Sequence, residues 1–197
     1  MKDFWNERYR NKEYVYGKSP NEFLKKQLSH LPVGKILLPS EGEGRNAVYA
    51  AENGWEVTAF DQSESAKSKA EQLATDKNVD INFQLADAST FDYGKEEYDL
   101  IALIYAHFPP KLRKKVHTAC VQALKKGGHL ILEGFRTEQL NFQSGGPKKE
   151  EMLFTDKMIK EDFKSLAVKQ LYLPIIHLNE GKYHQGEAAV IQYIGQK

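Results

Sequence analysis

KILLPSEGEGRNAVYAAENGWEVTAFD, residues 35–61, reads as a strand, a glycine loop, a helix and a second strand. Lys35 to Pro39 and Trp55 to Phe60 are short apolar runs bounded by turn residues, while Arg45 to Asn53 has helical spacing and ends at Asn53-Gly54. Between them, Gly42, Gly44 and Ala47 satisfy GxGxx[GA], and Asp61 follows Gly42 by 19 residues (61 − 42). Glycines there let a ligand approach the backbone, the helix start offers unpaired N–H groups, and a strand-end acid can accept hydrogen bonds from ribose hydroxyls. The pattern alone is weak evidence. Glu41 and Glu43 add to it, since two carboxylates in the loop disfavour a pyrophosphate and favour a ligand bearing an ammonium and a sulfonium.

Outward from this unit the same alternation continues. Ile81 to Leu85, Asp99 to Tyr105 and His129 to Phe135 read as strands; Ser63 to Asp76, Pro110 to Lys125 and Thr155 to Leu166 read as helices. Repeated β then α implies a mostly parallel sheet with helices on both faces, and IALIYA (101–106) lacks polar alternation, as a strand covered on both sides does. Val168 to Leu178 and Ala188 to Ile194 have no helix between them, which predicts a final antiparallel hairpin. Thr137 to Glu150, with Gly145-Gly146-Pro147, is polar and aperiodic and is expected to be a lid or binding loop.

The chain has 197 residues, with 28 basic and 27 acidic side chains. That length suits a single domain, 1–197, and the charge balance gives no electrostatic case for a nucleic-acid partner. The basic runs Lys111 to Lys115 and Lys148-Lys149 read as solvated faces. Cys120 is the only cysteine and no CxxC or His/Cys spacing suggests a metal site, so a reducing, cytoplasmic setting is expected. The first residues, MKDFWNERYRNKEY, carry no apolar leader, and no run approaches the roughly 20 apolar residues of a membrane span.

On these residues the chain resembles class I S-adenosylmethionine-dependent methyltransferases, and within them the small bacterial enzymes of the tellurite-resistance and thiopurine type. The likeness runs through Trp5 to Tyr9 (W-x-x-R-Y), Tyr16 to Asn21 (Y-G-x-x-P-N), EGEGRNAVYAAENGWEVTAFDQS, Ala86-Asp87-Ala88, LKKGGHLILEGF, and Glu133 to Leu140 with Gly145 to Pro147. Ser40 stands where the first glycine of G-x-G-x-G usually is, and Leu38-Pro39 replace the usual Asp-Leu pair.

The resemblance implies a Rossmann-like α/β fold with a seven-stranded mostly parallel sheet and an antiparallel carboxyl-terminal hairpin, capped by residues 1–30. It implies S-adenosylmethionine as cofactor, with Gly42 and Gly44 under its methionine part, Asp61 on the ribose, Gln62 beside the adenine, Asp87 and Ala88 on the adenine edge, and Tyr105 facing the methionine and substrate; the charge of the loop adds Glu41 as a cofactor contact. The expected acceptor is a small molecule, the expected assembly a monomer or homodimer, with no nucleic acid and no membrane.

His107, just past the fourth strand, is the first candidate for a general base. Glu180 and His184 in the hairpin, and the aromatics Trp5, Tyr9, Tyr14 and Tyr16, are further candidates near the site. Two other functions fit parts of the pattern: a non-catalytic cofactor-binding sensor or scaffold, and an NAD(P)-dependent oxidoreductase.

Overall fold

A computed structural model describes residues 2–197. The strands are β1 (Lys35–Pro39), β2 (Glu56–Asp61), β3 (Asn82–Leu85), β4 (Tyr98–Ile104), β5 (Leu124–Phe135), β6 (Ala167–Tyr172), β7 (Ile175–Glu180) and β8 (His184–Gln196). The helices are α1 (Lys2–Tyr9), α2 (Glu22–Leu28), α3 (Arg45–Glu52), α4 (Glu64–Asp76), α5 (Pro110–Ala123) and α6 (Asp156–Asp162). Strands run in the order β3-β2-β1-β4-β5-β8-β6, with β7 paired to β8. The first five are mutually parallel; β8 lies antiparallel to β5, β6 and β7.

The α/β expectation holds, but the sheet has eight strands, not seven. Val168 to Leu178 divides at Leu173-Pro174, because proline has no N–H for the ladder and a fixed φ. Both pieces still pair with β8: β7 along its first half and β6 along its second. Helix α5 stops at Ala123, where Leu124 takes up extended backbone and opens β5, and α6 spans only Asp156–Asp162.

Side chains alternate across the sheet and both faces are covered. Leu37, Ile101, Leu103 and Leu130 pack with Val116, Cys120 and Phe163, while Ile36, Leu38, Leu100 and Ile131 pack with Leu24, Ala47 and Ala50. Double coverage explains the unbroken apolar run in β4. The expected lid, residues 137–150, is tied down: Gln139 donates to the Ser144 hydroxyl and accepts from Ala189 N, and Ser144 donates to Glu187 O. Among the described residues no helix is long and apolar enough to cross a membrane.

Sequence order reverses between β1 and β4, which are neighbours in the sheet while β2 and β3 lie to one side. Open α/β sheets bind ligands at the carboxyl edge of such a point.

Candidate functional site

The loop leaving β1 is built from left-handed residues: Ser40 at φ +54°, Gly42 at +67° and Gly44 at +86°. Ser40 therefore adopts the backbone for which the more usual glycine is suited, so the turn is formed despite the substitution. Gly44 caps α3 and sits so close to α4 that a Cβ would lie 2.6 Å from that of Ala70.

Neither loop glutamate is free. Glu41 Oε1 accepts from Asn46 N and Ala47 N, both at 2.8 Å, and so supplies the side-chain cap that Gly44 lacks. Burial pushes its carboxyl up to about 7 against those hydrogen bonds. Glu43 is buried, accepts from Val15 N at 2.8 Å and Tyr16 N at 3.3 Å, and forms an ion pair with Lys69. The expected acidic surface facing a cationic ligand is thus absent here: one carboxylate serves a helix start and the other anchors the amino-terminal segment.

Asp61 ends β2, 7% exposed, with Oδ2 accepting from Gly42 N at 3.1 Å and Oδ1 from Ser63 N at 2.9 Å. Burial raises its pKa although both amides oppose. Gln62 is half-buried beside it. Asp87, in the turn after β3, is exposed and accepts from Ser89 N at 2.7 Å; Ala88 is buried. Tyr105 follows β4 at φ +52° and donates to Glu133 Oε1 at 2.9 Å. Thus Gly42, Asp61, Asp87 and Tyr105 follow or end four neighbouring strands at one edge of the sheet.

The amino-terminal segment closes over this edge. A Cβ on Gly42 would lie 2.9 Å from the Tyr9 hydroxyl; Tyr9 stacks on Trp5, and Asn6 Oδ1 accepts from the Ser63 hydroxyl. Tyr16 packs 4.5 Å from the His184 ring, which meets Tyr105 at 4.6 Å. His184 Nδ1 contacts Glu180 Oε2 at 3.1 Å, and Arg45 donates to the same oxygen at 2.9 Å. Burial raises the Glu180 pKa, but His184 and Arg45 outweigh it and hold the group at about 2.

His107 does not fit the role expected of it. Nδ1 lies 2.8 Å from Met152 O and Nε2 accepts from Phe135 N at 3.1 Å, so neither ring nitrogen is free to take a substrate proton. Burial pushes it down to about 4, against the Met152 carbonyl. The reading of Lys111 to Lys115 as a solvated face also needs correction at Arg113, which is buried against Asp162 at 2.8 Å.

Glu133 and Asn21 belong to the motifs Glu133 to Leu140 and Tyr16 to Asn21, which carry no role for either, and the structure brings the two together. Glu133 is 1% exposed and accepts from Asn21 Nδ2 at 2.6 Å, Gln192 Nε2 at 2.6 Å and the Tyr105 hydroxyl. Besides those motifs, a lone carboxylate inside the apolar run Leu130 to Phe135 is a signal for Glu133. A cavity of about 430 Å³ opens between Tyr16–Phe23 and Ile176–Gly181, with Arg45, Glu133 and Gln192 in its wall.

Residues 36–128 match a family model described as a methyltransferase domain. The chain has a class I methyltransferase fold. No curated protein matches it. Among solved structures, one concerned with the conversion of a disulfide bond into a thioacetal group during echinomycin biosynthesis aligns at TM-score 0.81 and 17% identity, over 100% of this chain and 91% of the other. TehB from Haemophilus influenzae aligns at TM-score 0.75 and 15% identity, over 100% of this chain and 66% of the other. An S-adenosylmethionine-dependent methyltransferase from Methanosarcina mazei gives TM-score 0.72 and 18% identity, over 91% and 98%. In this methyltransferase fold the edge bearing Gly42, Asp61 and Tyr105 lies at the reversal of strand order.

Proposed function

We propose that the chain binds S-adenosylmethionine at the edge formed by Gly42, Asp61, Asp87 and Tyr105 and transfers its methyl group to a small-molecule acceptor. The matched family and the S-adenosylmethionine-dependent neighbour support cofactor and reaction class. The observation that carries the site is Asp61, held by the amides of Gly42 and Ser63 at the end of β2. Its remaining lone pairs suit ribose hydroxyls, and the absence of a side chain on Gly42 lets the Tyr9 hydroxyl close over the loop beside it.

Asp61 would hold the ribose, Gly42 and Gly44 the methionine end, Gln62 the side of the adenine, Asp87 with the Ala88 backbone its edge, and Tyr105 the side facing the acceptor. Glu41 would act indirectly, by holding the first turn of α3. When bound, the cofactor supplies an electrophilic methyl on a sulfonium. The chain contributes alignment of donor and acceptor and exclusion of water by Tyr9, Tyr16 and His184.

Calorimetric titration with S-adenosylmethionine and with NAD tests this. S-adenosylmethionine should bind, and Asp61→Ala should weaken it at least tenfold; tight NAD binding, or binding of neither, would sink the assignment. The engagement of both His107 nitrogens favours one other reading, a sensor that binds without turnover. Release of S-adenosylhomocysteine over a panel of amine, hydroxyl and thiol acceptors separates the two.

A further inference from the structure

We propose that the cavity between residues 16–23 and β7 is the acceptor subsite and takes a small amine with an apolar body, its ammonium paired with Glu133. This rests on the methyl-transfer reading and assigns the acceptor's chemical class.

Among the described Lys, Arg, Asp and Glu side chains of the cavity wall, one is left without an opposite charge. Arg45 and Glu180 neutralise each other at 2.9 Å. Lys18 reaches out to Asp76, and Glu22 to Lys25. Glu133 has three neutral donors, and among the described residues no cation pairs with it. A carboxylate 1% exposed without a counter-charge is costly to bury, and burial raises its pKa, with Glu180 adding to the effect. A cationic ligand would remove that cost.

The accepted hydrogen bonds leave room for one more. Two occupy Oε1 and one occupies Oε2, while a carboxylate offers about four lone-pair positions. Tyr16, Phe23 and Ile176 contribute apolar surface to the wall, and a tyrosine face attracts cations. Anionic acceptors meet the opposite field. Once bound, the ammonium can pass one proton to the Glu133 carboxylate, leaving the amine nitrogen with its lone pair free and Glu133 neutral. Tyr105 joins this group to the cofactor edge, because its hydroxyl donates to Glu133 from the left-handed position after β4.

The test titrates the full chain, saturated with S-adenosylhomocysteine, with 2-phenylethylamine, 2-phenylethanol and phenylacetate. The amine should bind at least tenfold tighter than either other probe. Glu133→Gln should abolish that preference while leaving S-adenosylhomocysteine affinity within twofold, and Ile176→Trp, which enlarges a side chain in the cavity wall and leaves the carboxylate in place, should weaken the amine at least tenfold. Equal binding of the three probes, tight phenylacetate binding, or an unaffected Ile176→Trp variant overturns the proposal. So does loss of S-adenosylhomocysteine binding in a folded Glu133→Gln protein, which would assign Glu133 to the cofactor. Amine binding in a wild-type protein that fails to bind S-adenosylhomocysteine would keep the cation site and reject methyl transfer.

Discussion

Ser40 and Tyr105 follow the adjacent strands β1 and β4, and both hold left-handed backbone, at φ +54° and +52°. Two non-glycine residues in that region flank the reversal of strand order. Left-handed backbone costs an L-residue about 1–2 kcal/mol, and it persists where the surroundings enforce it.

Ser40→Gly should relieve the cost at one of the two positions. After subtracting the greater freedom glycine gives the unfolded chain, the gain is about 1 kcal/mol, or roughly 2–4 °C in Tm for a chain of this size. Thermal unfolding of the two proteins side by side measures it, and an unchanged or lower Tm would count against strain at Ser40.

Glu43→Ala should loosen the amino-terminal segment. The carboxylate holds the amides of Val15 and Tyr16 and pairs with Lys69, which also donates to Asn11 O and Glu13 O. Hydrogen exchange at Val15 and Tyr16 should speed at least tenfold while the β4 amides keep their protection. Bound S-adenosylhomocysteine should also dissociate faster.

Two buried groups give pH dependences of opposite sign. His107 is pushed down from 6.5 to about 4, so its contribution is fully present above pH 6.5 and is lost as pH falls toward 4. Glu41 is pushed up from 4.5 to about 7, so its contribution is present below pH 4.5 and is lost as pH rises toward 7. Denaturant titrations at several pH values between 4 and 7.5 should show His107→Gln losing less stability than wild type on acidification, and Glu41→Gln losing less on the way to neutrality. Parallel curves for either variant would exclude that group.

Asp162→Ala should cost about 3 kcal/mol, because it leaves buried Arg113 without its carboxylate and removes the partner of His117 Nδ1. The measurement is Tm, with a drop of roughly 6–12 °C. S-adenosylmethionine affinity at a temperature where the variant remains folded should not change.

The parts of the site that the sequence discloses are those set by neighbours along the chain. Gly42, Gly44 and Asp61 follow from strand-loop-helix-strand order, and the antiparallel end follows from two apolar runs without a helix between them. What stays hidden is where side chains point after distant segments meet. Glu43 looks like a loop acid until Val15 and Lys69 converge on it, 28 and 26 residues away (43 − 15 and 69 − 43). His107 looks like a free base until Met152 and Phe135 take both nitrogens. Val168 to Leu178 reads as one run, Pro174 divides it, and only the length of β8 lets both halves find a partner.

Strand β8 carries His184 and Gln192, and every strand it pairs with precedes it in sequence. During synthesis β5 therefore remains an open edge, presenting LILEGF, until residues 184–196 have left the ribosome. The five parallel strands have all their partners earlier, apart from that one edge. Translation thus delivers the parallel strands first and the antiparallel cover of β5 last, and a nascent chain halted between them exposes the strand that carries Glu133.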